Sequence, residues 1–256
     1  MGGILILSSF VAASDVGGGF QAKALSGLEI ASILVPTVLF GRHPGLGPPG
    51  GGATPIDVFE GMLEGVAASG AFAGLDAVIT GYFADPAQVA AAARTVDAIK
   101  ALHAGVLVVV DPIMGDTGKG LYVKAAVAEA VIGELVPRAG LIAPNAWELE
   151  RLSGKPVTEV ASALAASRSL GRDVLASSVP MGAGIGVLWT NGKEAWLASH
   201  QRAPFAPNGT GDLLTCLFTA ALLGGAAPPD ALETAVSDVA ALVFGRDLEI
   251  KLEAVS

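Results

Sequence analysis

Short segments that are apolar at nearly every position recur along this chain, and longer alanine-rich segments separate them. The short kind comprises Ile4 to Leu7, Ile30 to Leu39, Asp76 to Thr80, Gly105 to Val110, Leu141 to Ala143, Asp173 to Ala176 and Gly186 to Thr190. The long kind comprises Ile56 to Gly70, Pro86 to His103, Tyr122 to Leu135, Thr158 to Leu170 and Asp212 to Leu223, with apolar residues at helical spacing. A strand that is apolar on both faces has to be covered on both faces, which helices packed on a parallel sheet achieve. The alternation therefore predicts an α/β fold with a mostly parallel central sheet. Asn191-Gly192, after the last short run, predicts a tight hairpin turn.

Composition narrows the class. Hydrophobic residues make up 52% of the 256 and charged residues only 15%, which excludes a disordered chain. With 24 acidic against 15 basic residues the net charge is −9, so the basic face that a nucleic-acid binder needs is not expected. The mean hydropathy of +0.60 raises the question of a membrane span. Leu213 to Pro229 is too short for one and is broken by Gly224, Gly225 and two prolines. The opening GGILILSSFVAAS lacks a basic residue ahead of its short apolar run, so it reads as a buried strand and not as a signal peptide. A single cysteine, Cys216, cannot form an internal disulfide and reads as core. The expectation is a single domain over residues 1–256, cytoplasmic and without membrane or nucleic-acid partners.

In an open parallel sheet, ligands bind beyond the carboxyl ends of the strands. Those ends carry Ser8-Ser9, Thr37, Thr80-Gly81-Tyr82, Asp111-Pro112, Pro144-Asn145 with Glu148 beyond, and Ser177-Ser178. Each is an ordinary turn residue taken singly, but together they place six polar or acidic groups at one edge. Asn208-Gly209-Thr210-Gly211-Asp212, just before an apolar helix, is the sharpest signal. Its glycines free backbone N–H groups to face an anion, and the helix start adds the positive end of its dipole. Asp212 is then either a helix cap or a carboxylate placed to take a proton from an attacking hydroxyl. Asp111 and Asp116 flank the turn DPIMGD, and these oxygens with Asn145 and Glu148 suit Mg²⁺. Asn145 and Glu148 equally fit a capping box, an N-cap with its N3 carboxylate. Neither a zinc cluster nor a Walker motif is present. His43 to Thr54 (HPGLGPPGGGAT) reads either as a surface loop or as a lid over a site.

The order TGY, DPIMGDTGKGLYV, APNAWELERLSG and NGTGD resembles the pyridoxal kinase branch of the ribokinase-like superfamily, and the likeness runs from ILILSS to Leu248–Leu252. The resemblance implies a three-layer α/β/α sandwich that transfers a phosphoryl group from ATP to the 5′-hydroxymethyl group of pyridoxal, pyridoxine or pyridoxamine in vitamin B6 salvage. It makes Asp212 the catalytic base and Gly209, Thr210 and Gly211 the anion hole for the γ-phosphoryl group. Asp111, Asn145, Glu148 and Ser177 would face the ATP phosphates, and Asp111, Asp116 and Glu148 would organise Mg²⁺. Ser9, Val16, Thr37 and Tyr82 would contact the vitamer, with residues 43–54 as a flap. It further implies a homodimer, and it admits a monovalent cation such as K⁺.

The segment SSFVAASDVGGGFQAK departs from the pyridoxal kinase pattern and resembles the GSDSSGGAGIQAD opening of hydroxymethylpyrimidine kinases. Those enzymes carry Cys where this chain has Asp212, and they lack TGY. Arg42 replaces a smaller residue of the family's FSNH, Ala143 stands where Thr precedes Pro-Asn, and the flap is a GPPGGG tract. A hydroxymethylpyrimidine kinase and a non-catalytic relative that binds pyridoxal phosphate are the alternatives. A pure binder would have no use for the intact Asp212.

Overall fold

The computed structural model describes residues 2–245 and 248–256. The chain divides into two compact units, Met1–Met114 with Leu121–Gly140, and Gly115–Gly120 with Leu141–Ser256.

The first unit is built on β1 (Gly3–Val11), α1 (Gly17–Gly27), β2 (Ser32–Phe40), β3 (Gly51–Ala53), α2 (Ile56–Ala68), β4 (Leu75–Thr80), α3 (Pro86–Leu102) and β5 (Leu107–Val110). Its strands lie in the order β5-β4-β1-β2-β3. β1 runs parallel to both β2 and β4, and β4 parallel to β5. Residues Ile4 to Ser9 of β1 are buried without a break, as expected for a strand covered on both faces. Each such Ile or Leu contributes about 1.5–3 kcal/mol relative to exposure.

Helix α1 has no helical signal in its sequence. Its first residues are Gly17, Gly18 and Gly19, which depress helix propensity and read as loop. Packing overrides that cost: a Cβ on Gly18 would sit 2.5 Å from Leu34 Cδ1 and 3.0 Å from Ile6 Cγ2, so the glycine lets the helix lie directly on β1 and β2. α3 starts as its sequence demands, with Asp85 accepting from Ala87 N–H (2.9 Å) and Pro86 in the first turn.

Beyond β5 come the two-residue strands β6 (Gly115–Asp116) and β7 (Gly120–Leu121), which pair with each other. The helix predicted over Tyr122 to Leu135 is α4 (Ala125–Ala130), continued by a π-helical turn Val131–Leu135 and a 3-10 turn Val136–Arg138. Arg138 fastens this end to α3 through two bonds to Asp97 (2.9 and 2.7 Å), and Lys100 Nζ donates to Arg138 O (2.6 Å). The Arg138 guanidinium holds the Asp97 carboxyl below the usual carboxylate range.

The second unit continues with β8 (Leu141–Ile142), α5 (Ala146–Ser153), α6 (Val160–Ser169), β9 (Asp173–Met181), β10 (Gly184–Thr190), β11 (Ala195–Gln201), α7 (Thr210–Leu223), α8 (Pro228–Phe244) and β12 (Lys251–Ala254). The order is β12-β11-β10-β9-β8. β8 and β9 are parallel, whereas β9, β10, β11 and β12 form antiparallel pairs in succession. The predicted turn at Asn191-Gly192 joins β10 to β11: Asn191 Oδ1 accepts from Lys193 N–H (3.0 Å) and Glu194 N–H (2.8 Å), with Gly192 at φ 86°. α8 lies outside the predicted helices and starts at Pro228, a favoured first helical residue.

Among the described residues, no helix is long and apolar enough to cross a membrane. The apolar run after Leu213 is α7, which buries Leu213 to Cys216 and Phe218 to Ala220 and stops at Gly224. Cys216 is core as expected, and burial with the nearby Asp212 charge pushes its thiol up to about 12, where it stays protonated.

Candidate active site

In the first unit the strand ends converge through backbone and hydroxyl hydrogen bonds. Gly81 N–H donates to Leu7 O (2.9 Å) and Asp111 N–H to Thr80 O (3.0 Å), which places the ends of β4 and β5 beside the middle of β1. β1 does not end at Ser8-Ser9 as expected but runs on to Val11, paired with β2. Tyr82 N–H donates to Ser8 Oγ (3.1 Å), and Thr37 Oγ1 donates to Tyr82 O (2.6 Å). Ser8, Thr37, Tyr82 and Asp111 thus share one edge. Thr37 is fully buried and its only hydroxyl proton goes to Tyr82, so its oxygen can act towards a ligand only as an acceptor. Burial raises the Tyr82 phenol above its usual range, so it is a proton donor and not a phenolate near neutral pH.

Ser9 and Val16 are buried nearby, and Gly17 joins them as a residue that sequence reasoning missed. Gly17 sits at φ +63°, and a Cβ there would lie 2.0 Å from Ser9 Oγ. The substitution Gly17→Ala therefore combines a left-handed backbone penalty with a clash, and is expected to destabilise by about 1–3 kcal/mol. Thermal unfolding checks this, and an unshifted melting temperature would remove the steric argument.

Residues 43–54 form an ordered segment: a 3-10 turn Pro44–Leu46, then β3 paired antiparallel to β2 from Val38↔Ala53 to Phe40↔Gly51. Arg42, the departure noted in the sequence, donates from Nε to Pro48 O (2.9 Å) and from its backbone N–H to Pro49 O (3.1 Å). His43 N–H donates to Ser14 Oγ (3.2 Å).

In the second unit Asn145 and Glu148 make the capping box of α5. Asn145 Oδ1 accepts from Glu148 N–H (2.9 Å) and Glu148 Oε2 accepts from Asn145 N–H (3.0 Å). The pair reaches further than a cap. Asn145 Nδ2 donates to Gly115 O (2.8 Å) and Glu148 Oε1 accepts from Gly115 N–H (3.4 Å), so both side chains clasp the strand leading to Asp116. Gly115 is obligatory, because a Cβ would meet Gly120 O and the Trp147 ring, each at 2.4 Å. Ser177 is brought alongside: it bridges to Asn145 in parallel, and its N–H donates to Pro144 O (2.9 Å).

Asp212 is not the cap of α7. Gly209 is, at φ +91°, and Asp212 lies two residues into the helix, half-buried in its first turn. The amides of Thr210, Gly211 and Asp212 head the helix, where N–H groups lack intrahelical acceptors and favour negative charge.

For Mg²⁺, no group of three or more His, Cys, Asp or Glu among the described residues is gathered so as to hold a metal. Both Glu148 oxygens accept from backbone N–H groups. Asp116 Oδ1 accepts from Thr117 N–H (2.7 Å) and leaves its other oxygen available. That donor set fits an ion that arrives on nucleotide phosphates, keeps several waters and needs few carboxylates.

Residues 54–253 match the family model for phosphomethylpyrimidine kinase. A pyridoxine/pyridoxal/pyridoxamine kinase of Bordetella avium is 37% identical over 238 residues, covering 90% of this chain and 80% of that protein. The pyridoxal kinase of Entamoeba histolytica superposes with a TM-score of 0.92 at 24% identity, with both chains covered in full. The pyridoxal kinase of Leishmania donovani, in complex with ADP and pyridoxamine, superposes with a TM-score of 0.88 at 24% identity, covering 96% of this chain and 87% of that one. The fold is thus the ribokinase-like α/β sandwich expected from the sequence. The chain belongs to the phosphomethylpyrimidine kinase family, in its pyridoxal kinase branch.

Proposed function

We propose that Asp212 takes the proton from the 5′-hydroxymethyl group of a B6 vitamer as that oxygen attacks the γ-phosphoryl group of ATP. The chain is an ATP-dependent kinase of pyridoxal, pyridoxine and pyridoxamine, and its products are the 5′-phosphates. The observation that carries the proposed role of Asp212 is its place in the first turn of α7, directly behind the left-handed Gly209. A carboxylate there accompanies the amides of Thr210 and Gly211, which suit the equatorial oxygens of the transferring group. Base and anion hole are then parts of one helix start, and their relative positions are set by helical geometry.

Ser9, Val16, Thr37 and Tyr82 hold the vitamer in this reading: Thr37 accepts from a polar ring substituent, and the half-buried Tyr82 donates. Asn145, Glu148, Ser177 and Asp111 serve the ATP phosphates, with Glu148 acting through the backbone it clasps. Asp111 and Asp116 would hold Mg²⁺ together with the nucleotide phosphates, and the ion would supply positive charge against the charge of the transferring group. K⁺ is a candidate activator. We assign the two units to one kinase domain, a homodimer working in the cytoplasm, with residues 43–54 as a flap.

The test is ADP release with Mg-ATP and, in parallel, pyridoxal, pyridoxine, pyridoxamine and hydroxymethylpyrimidine. A kcat/KM highest for a B6 vitamer is expected. Preference for the pyrimidine would favour the second reading, supported by the SDVGGG opening and the family description. Binding of pyridoxal phosphate without turnover of any compound would leave a non-catalytic binder.

A further inference from the structure

Gln88 lies in the first turn of α3, is 0% exposed, and had no place in the sequence reading of the site. Its carboxamide is used on three backbone groups from three separate stretches. Nε2 donates to Thr37 O (2.9 Å) and to Thr54 O (2.8 Å), and Oε1 accepts from Ala84 N–H (3.2 Å). This pattern dictates the amide's orientation, because two carbonyls require the NH₂ and one N–H requires the oxygen. The stretches are the second half of β2, which runs on past Thr37 to Phe40, the exit of the Gly/Pro-rich segment, and the loop that carries Tyr82. They are tied again by Thr54 N–H donating to Thr37 O (2.9 Å), Thr54 Oγ1 to Pro36 O (2.7 Å) and Thr37 Oγ1 to Tyr82 O (2.6 Å).

We infer that Gln88 is a positioning residue for vitamer binding: its buried carboxamide holds Thr37 and Tyr82 in register and anchors the exit of the 43–54 segment to them. This rests on the reading above, in which Thr37 and Tyr82 face the vitamer. Glutamine has the required reach and the required two donors and one acceptor. Asn is a methylene shorter, Met bonds to none of the three groups, and Glu keeps the acceptor for Ala84 while turning an oxygen towards two carbonyls.

The experiment compares Gln88→Met with Val96→Ala, which opens a cavity at a fully buried position of the same helix without touching the network. Gln88→Met is expected to raise KM for pyridoxal about tenfold or more while KM for ATP stays within about threefold. Exchange of the Ala84 amide should quicken at least about tenfold, since its acceptor is gone. Val96→Ala should lower the melting temperature and change none of these. A pyridoxal KM within twofold of the unaltered chain, or an equal rise in Val96→Ala, would overturn the inference. Should Gln88→Met not fold, Gln88→Glu takes its place, with pyridoxal KM raised but Ala84 protection kept; loss of neither or of both alike in Val96→Ala overturns it. If the unaltered chain turns over no vitamer, the functional reading has failed by itself. Amide exchange at Ala84 and residues 51–54 then decides the coupling, which is refuted if Gln88→Met leaves it unchanged.

Discussion

Asp212→Asn is expected to lower kcat by about 10²–10⁴-fold, the usual worth of a positioned general base, while the dissociation constants of vitamer and ATP change by no more than about threefold. The substitution keeps the size of the side chain and its place in the first turn of α7, and removes the negative charge and with it the capacity to take a proton. A single-turnover assay with direct titration of both ligands separates chemistry from binding. Turnover that survives would leave the Thr210 and Gly211 amides as the catalytic part of the motif and strip Asp212 of its role. A loss of binding equal to the loss of rate would mean that the carboxylate positions a ligand instead.

The second large effect is expected at Glu148, which is 2% exposed and accepts from the N–H groups of both Asn145 and Gly115. Glu148→Ala leaves one buried and one part-buried backbone donor without this acceptor, which costs about 2–4 kcal/mol in stability. The same change leaves the Gly115–Asp116 strand held to α5 by Asn145 Nδ2 alone, so KM for ATP should rise about tenfold. Glu148→Gln preserves the shape but keeps only one acceptor oxygen, and should fall between the two in stability. Denaturant unfolding and an ATP titration at several Mg²⁺ concentrations check the pair. A Gln variant that is fully stable yet needs far more Mg²⁺ would make Glu148 a direct metal ligand, against the arrangement of its oxygens.

The two expectations differ in how far the sequence could carry them. Asn145 and Glu148 are legible in the sequence as two alternatives, a capping box or ligands suited to Mg²⁺. The structure shows the box and adds that the same side chains grip Gly115, thirty residues upstream. Spacing within a helix start predicts the first, because cap geometry is local. Nothing local predicts the second, because the contact is made when β6 lies beside α5. Ser177 is similar: the family resemblance implies a phosphate neighbour, and its bridge to Asn145 is decided by strand pairing.

Local sequence determined most of the elements. Runs such as Ile4 to Leu7 and Val108 to Val110 have no polar face to give to water, so they become buried parallel strands. The left-handed Gly209 and Gly192 and the start of α3 at Asp85-Pro86 follow from residue chemistry alone. What tertiary structure decided were the elements and contacts whose local signal was weak or misleading. Three glycines argue against a helix at 17–19, yet only their missing Cβ atoms let α1 approach Ser9, Ile6 and Leu34. The Gly/Pro tract 43–54 shows no pattern of its own, and acquires order from Ser14 and the edge of β2. Gln88 is a polar residue in an alanine-rich helix, indistinguishable in sequence from a solvated one. Its burial, and with it any role, arises because Thr37, Thr54 and Ala84 present their backbone groups to one point that only the folded chain creates.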